Sequence, residues 1–238
     1  LENTPEGRLW AAWVAGEDGP KAFMVAATSD DKGETWSKPR LVIDSHSERI
    51  PSPRSVIVGN FWTDPSGRLW FFFDQSMNHF DGRGGVWASV CEKPDDQAPE
   101  WSPPQRLCHG WILNKPLVLS TGEWVLSTYL PEHHQGKGPF RNIFQELDPL
   151  RGVNPLFSTD AGQTWQQRAI VKFPHPDWHE ASIVELKDGK LWMLARTRKG
   201  IMQSFSSDSG ERWSEPALPE GVRHIPSRFH VQRLSSGD

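Results

Sequence analysis

One eight-residue pattern frames the whole chain. Residues 29–36 read SDDKGETW and residues 158–165 read STDAGQTW, both matching S-x-D-x-G-x-T-W at every fixed position. Residues 206–213, SSDSGERW, depart only at Arg212, where Thr is expected, and KPDDQAPEW, ending at Trp101, reads as an eroded copy. Such self-similarity signals one structural unit used repeatedly. A second repeat precedes each box: a short apolar run, a polar turn with Gly, and another apolar run, as in TPEGRLWAAW, TDPSGRLWFFF, VLSTGEWVLSTY and VELKDGKLWMLAR, with RLSSGD beginning one more. The turn residues Gly7, Gly67, Gly122, Gly189 and Gly237 recur at intervals of about 50 to 70 residues, within reach of a propeller blade with variable loops. Gly accepts the positive φ that such hairpins need. The order hairpin, strand, box, strand makes four strands per unit, the blade of a β-propeller.

Composition agrees with an all-β chain. The 238 residues include 20 Gly and 20 Pro, which break a chain into short segments and leave little room for long helices. Runs such as SVIVGNFW, LWFFFD, ASIVEL and LWMLAR are bounded by turn residues, the signature of strands. The length predicts a single domain over 1–238. A net charge of -4 argues against nucleic acid or an anionic membrane as the main partner. No run approaches the roughly 20 apolar residues of a membrane span. The first ten residues lack signal-peptide features, and a chain beginning with Leu1 reads as a piece of something longer. Cys91 and Cys108 exclude a disulfide framework or a cysteine-rich zinc site. They flank the eroded box, and two free buried thiols are preferred there over a cross-strand disulfide.

The boxes and hairpins together resemble the Asp-box (BNR) repeat of the sialidase, or neuraminidase, superfamily, whose propellers have six four-stranded blades. The resemblance covers essentially the whole chain. It implies an incomplete propeller with blades around 1–50, 51–112, 113–172 and 173–222 and the first strand of a fifth. A closed four-bladed ring is the alternative, disfavoured by the trailing RLSSGD. The box is read as structural, its Ser and Asp bonding local backbone and its Trp packing between strands. A Ca²⁺ site is the weaker reading, because STDAG lacks a second acid. No metal and no cofactor are expected.

Antiparallel geometry locates a working end. The start of a blade's first strand lies beside the end of its second, so residues well before and after each turn Gly meet at one rim, away from the boxes and from Trp36, Trp165 and Trp213. This rim collects Asn60 and Asp74, then Asn114, Lys115 and Tyr129, then Glu180 and Arg196, then Arg228. A polar cleft near the axis is expected, although strand ends are often polar anyway. The sharpest segment is HEASIVELKDGKLWMLAR, 179–196. The sialidase resemblance implies that Glu180 polarises a tyrosine nucleophile and that Arg196 belongs to a trio clamping the sugar carboxylate. The physics is sound: a carboxylate activates a phenol by accepting its proton, and Arg pairs bidentately with carboxylates. Sialidases are the glycosidases that use Tyr in place of a second carboxylate. The catalytic candidates are therefore Glu180, Asp74 and Tyr129. The substrate-binding candidates are Arg196, Arg228, Asn60, Asn114, Lys115 and His179, the last either tuning Glu180 or ending a strand.

The resemblance also has gaps. The first clamp Arg belongs to an R-I-P motif upstream of Leu1, and the third Arg and the nucleophilic Tyr belong to blades five and six. Residues 1–238 alone are thus expected to be inactive. Arg49–Ile50–Pro51 imitates R-I-P but follows a box and is read as linker. The family's general acid lies a few residues before the first box Ser, here near Phe23, with Glu17 and Asp18 earlier on the loop. Asp74 is the substitute candidate, or else it caps a strand. Long loops at 71–85 (Asp74, Gln75, His79, Asp81, Arg83) and 129–142 (Glu132, His133, His134, Lys137, Arg141) are placed to carry specificity. The adjacent histidines read as solvated rather than metal-binding. The expected function is a sialidase-like exo-glycosidase releasing a terminal acidic sugar. The alternatives are a glycosidase or lyase on uronic acid or rhamnose glycans, or a non-catalytic carbohydrate-binding propeller. The expected partner is a glycan, with no nucleic acid and no membrane span. The resemblance implies a secreted or periplasmic protein, and oligomeric state stays open.

Overall fold

The computed structural model describes residues 1–222 and 226–233. Among these, strands and turns account for nearly all regular structure, and helix is confined to short 3-10 turns at His133–Gln135, Gly138–Phe140 and Gln145–Leu150. The chain divides into two compact units, Leu1–Lys115 with His134–Ile143, and Pro116–His133 with Phe144–Asp238.

The first unit begins with β1 (Glu2–Asn3), β2 (Leu9–Ala15), β3 (Phe23–Ser29) and β4 (Leu41–Ile43), hydrogen-bonded in that order. Next come β5 (Arg54–Ser55), β6 (Gly59–Thr63), β7 (Leu69–Asp74), β8 (Ser76–Met77), β9 (Val86–Cys91) and β10 (Gln105–Cys108). Strands β6, β7, β9 and β10 form a second antiparallel sheet, while β5 and β8 pair as a separate ribbon. A further strand, β11 (Trp111–Ile112), packs against β7. All six side chains of β7 are buried, as an unbroken LWFFFD run requires. The core gathers Trp10, Met24, Val56, Phe61, Leu69, Phe71 and Phe73, with Trp10 at 5.4 Å from Phe61 and 5.6 Å from Trp101. Each large side chain so buried contributes about 1.5–3 kcal/mol.

The second unit carries β12 (Leu117–Val118), β13 (Trp124–Leu130), β14 (Gly152–Ser158) and β15 (Gln166–Gln167) as one antiparallel sheet, then β16 (Ser182–Glu185), β17 (Leu191–Thr197) and β18 (Gly200–Ser206) as another. The fourth strand of this last blade shrinks to a bridge between Gln203 and Ala217, whose N–H and C=O groups exchange bonds of 2.8 and 2.9 Å. Four blades are therefore present where the repeats place them. Gly237 and the hairpin it was expected to open lie outside the described residues.

The repeated sequences fold repeatedly. In each hairpin the turn Gly N–H donates to the carbonyl three residues earlier, at Thr4, Asp64, Leu119 and Leu186, over 2.8–3.0 Å. Those same four residues donate N–H to the carbonyl of the residue after the Gly. This is a type I turn closed by a left-handed residue, the geometry of a three-residue hairpin loop. The boxes repeat as closely. Ser29, Ser158 and Ser206 each accept from the box Gly N–H at 2.8–2.9 Å. Asp31, Asp160 and Asp208 each accept from a backbone N–H four residues on at 2.9 Å. Arg212 keeps the pattern despite replacing Thr, because its Nε donates to Asp208 at 2.8 Å where Thr35 and Thr164 donate a hydroxyl. The hydroxyl and backbone donors hold Asp31 down at about 2, so the box carboxylates are consumed by the turn. The eroded copy has traded these bonds for docking: the buried Arg8 donates to the carbonyls of Pro94 and Asp96, and Trp10 to that of Pro94.

Cys91 and Cys108 are both free. The register separates them, Cys91 lying opposite Leu69 and Cys108 opposite Val86.

Candidate functional site

The β16–β17 hairpin does what its spacing predicts. Ser182 pairs with Leu194, so two residues further out Glu180 comes opposite Arg196. The Arg196 N–H donates to the His179 carbonyl at 2.6 Å. The Arg196 guanidinium donates through Nη1 to Glu180 Oε2 at 3.1 Å and lies 3.2 Å through Nη2 from Asp177 Oδ2. Two carboxylates thus fix the fork while 22 % of the side chain stays exposed. Asp177 escaped the sequence reading; its only signal was an acid beside Trp178, three residues before Glu180. Glu180 holds φ at +45°, a left-handed conformation that costs a non-glycine residue about 1–2 kcal/mol and that clusters at functional sites.

Behind this pair lie His179 and Tyr129, each only 1 % exposed, with ring centroids 6.1 Å apart. Phe173 flanks the imidazole at 6.0 Å. Burial pushes His179 down to about 4, against the opposing charge of Asp177. The ring is therefore neutral at pH 7, and neither nitrogen has a hydrogen-bond partner among the described residues. Arg228 is exposed in a segment without regular structure.

In the first unit, Asn60 and Asp74 occupy the same end of β6 and β7, where Asn60 pairs with Phe72 and the Asp74 N–H donates to the Val58 carbonyl at 3.1 Å. The Asp74 side chain is 1 % exposed, and its Oδ1 accepts from the Ile57 and Val58 N–H groups at 3.0 and 2.7 Å. It therefore caps the approach to β6. Burial drives its carboxyl up to about 7 despite those bonds, and the Asp18 carboxylate pushes in the same direction. A proton is retained there near neutrality, as a general acid needs, but the group is shut off from solvent. The Asn60 Nδ2 is buried with no hydrogen-bond partner among the described residues, and Asn114 is buried. The Lys115 ammonium donates to the Leu1 carbonyl at 2.8 Å and pairs with Glu2, which ties down the first strand. In the 129–142 loop, His133 Nδ1 lies 2.8 Å from Asp148. No cluster of three His, Cys, Asp or Glu suited to a metal occurs among the described residues, nor any helix long and apolar enough to cross a membrane.

Hairpin, box and blade define a propeller built of Asp-box repeats. The chain belongs to the BNR repeat-like domain family, whose pattern matches residues 7–237. Among solved structures it resembles a point mutant of NanB sialidase from Streptococcus pneumoniae, with 16% identity and a TM-score of 0.63 over 94% of this chain and 51% of that one. A protein of unknown function from Dyadobacter fermentans gives 16% identity and a TM-score of 0.70, covering 98% of this chain and 71% of that one. An ulvan-type polysaccharide lyase gives 12% identity and 0.61, covering 90% and 53%. These likenesses establish the fold as a sialidase-type propeller, incomplete over these residues; the chain spans about half the length of NanB. No curated protein matches.

Proposed function

We propose that this is a carbohydrate-active domain whose Glu180–Arg196 site receives an anionic sugar, as part of a sialidase-like exo-glycosidase releasing a terminal acidic residue. The observation that carries the reading is the Arg196 fork, held by Asp177 and Glu180 at 3.2 and 3.1 Å beside a strained Glu180 backbone. A guanidinium so oriented meets a carboxylate without further ordering of its long side chain. NanB is named a sialidase, which supports the sugar class. A second reading is a lyase on a uronate polymer. It is favoured by the neutral His179 with both nitrogens unused, since elimination needs a base for the proton beside the carboxylate and a cation to offset that carboxylate.

The test is turnover of aryl sialosides, aryl uronides and a uronate polymer by the longest available form of the protein, with Glu180→Gln and Arg196→Lys as variants. Sialoside cleavage reduced at least a hundredfold in both variants supports the glycosidase. Ultraviolet absorbance from an unsaturated uronate product supports the lyase. Sugar binding without turnover of any substrate overturns both.

A further inference from the structure

A cavity of about 410 Å³ in the first unit is lined by Arg54, Arg83 and Arg106, together with His109, Trp87 and Gln75. Its position follows from the second blade: Gln75 and Ser76 come directly after Asp74, and Arg106 sits on the outer strand β10. The charge balance is unusual. Three guanidiniums share the space with one lining carboxylate, Asp81, which is already committed, as its Oδ1 accepts the N–H groups of Arg83 and Gly84 at 2.9 and 2.6 Å and its Oδ2 lies 4.0 Å from Arg83. The Arg54 backbone pairs with Met77, but its guanidinium makes no hydrogen bond or ion pair among the described residues. Arg106 Nη2 donates to the Gly84 carbonyl at 3.1 Å and lies 2.9 Å from His109 Nδ1. That contact makes Nδ1 the acceptor and leaves the ring proton on Nε2, a further donor. Burial and the nearby Arg83 charge hold Arg106 below its usual range, so clustering these cations opposes their own ionisation.

The wall is built to keep the cations apart and open. Asp81 is buried and pins the D-G-R-G-G loop, and a Cβ on Gly85 would lie 3.0 Å from both Arg106 Nε and Trp87 Nε1. Arginine is the residue suited to planar, bidentate recognition of oxyanions. The volume falls in the range of small-ligand pockets, and an indole beside convergent polar groups is their usual lining.

We propose that this cavity is a binding subsite for a sugar unit bearing an oxyanion, either a sulfate ester or a carboxylate, built from residues other than Glu180 and Arg196. The proposal takes only the sugar class from the functional reading above and does not depend on catalysis. Arg54 and Arg106 hold the oxyanion, His109 adds a neutral donor, and Trp87 offers an apolar face to the ring.

Isothermal titration with glucose 6-sulfate, glucuronate and glucose tests it, in an Arg196→Gln background that removes the cation of the other anionic-sugar site, alone and combined with Arg54→Gln or Arg106→Lys. In that background at least one charged sugar should bind tenfold or more tightly than glucose. Adding Arg54→Gln or Arg106→Lys should each abolish that difference, with thermal midpoints showing retained fold. The tighter of the two charged sugars identifies the oxyanion. Equal affinity for all three sugars, no binding, or a preference that survives Arg54→Gln or Arg106→Lys overturns the subsite. Failure of catalysis at Glu180 would leave these outcomes unaffected.

Discussion

Replacing Asp74 with Asn gives a direct reading of the buried carboxyl. The native group titrates near 7, against an ordinary carboxylate value near 3.9. The folded state therefore holds a proton that the unfolded chain releases across that interval, and stability falls as pH rises from about 4 to 7. Below the unfolded value the contribution is fully present; above the folded value it is lost and the curve flattens. The shift corresponds to about 4 kcal/mol. Asn keeps an oxygen acceptor for the Ile57 and Val58 N–H groups and carries no charge. Urea unfolding of Asp74→Asn should match wild type near pH 4 and exceed it at pH 8 by up to about 4 kcal/mol. Its stability should change less between those two values. A parallel pH dependence in both proteins, or an Asn variant weaker at pH 8, would show that Asp74 folds as an ordinary ionised cap. Asp74→Ala separates burial from capping: it strands two backbone donors and should cost about 1–3 kcal/mol for each.

Gly210→Ala places a Cβ 2.3 Å from Phe157 Cζ at a φ of +85° and should destabilise by at least about 2 kcal/mol. Gly122→Ala has a similar φ of +87° with no atom within 4 Å, so its loss should be confined to about 1 kcal/mol; equal thermal-midpoint shifts would refute the steric account. Glu180→Gly relieves a left-handed backbone at +45° and should leave the thermal midpoint level or higher while removing turnover of the acidic-sugar substrate. A large loss of stability would show that the Glu180–Arg196 ion pair serves the fold first.

Hairpins and boxes were legible in the sequence because their bonds are local. A turn Gly reaches a carbonyl three residues away, and a box Asp a donor four residues away, so the residues that make the structure sit together in the chain. Strand alternation then carried the reading further, since a hairpin of known turn sets its own register, and Glu180 had to meet Arg196. Arg212 could replace Thr because any donor at that offset satisfies Asp208. Tertiary structure decided everything set by burial or by partners remote in sequence. The Lys115–Glu2 pair, the Asp74 cap on the Ile57 and Val58 N–H groups, and the packing of His179 against Tyr129 and Phe173 depend on groups that stand from 6 to 113 residues away in the chain. The Arg54, Arg83 and Arg106 cavity depends on the same kind of remote meeting. Desolvation and like-charge clustering act through space, and sequence spacing alone does not encode which remote surfaces close over a given group.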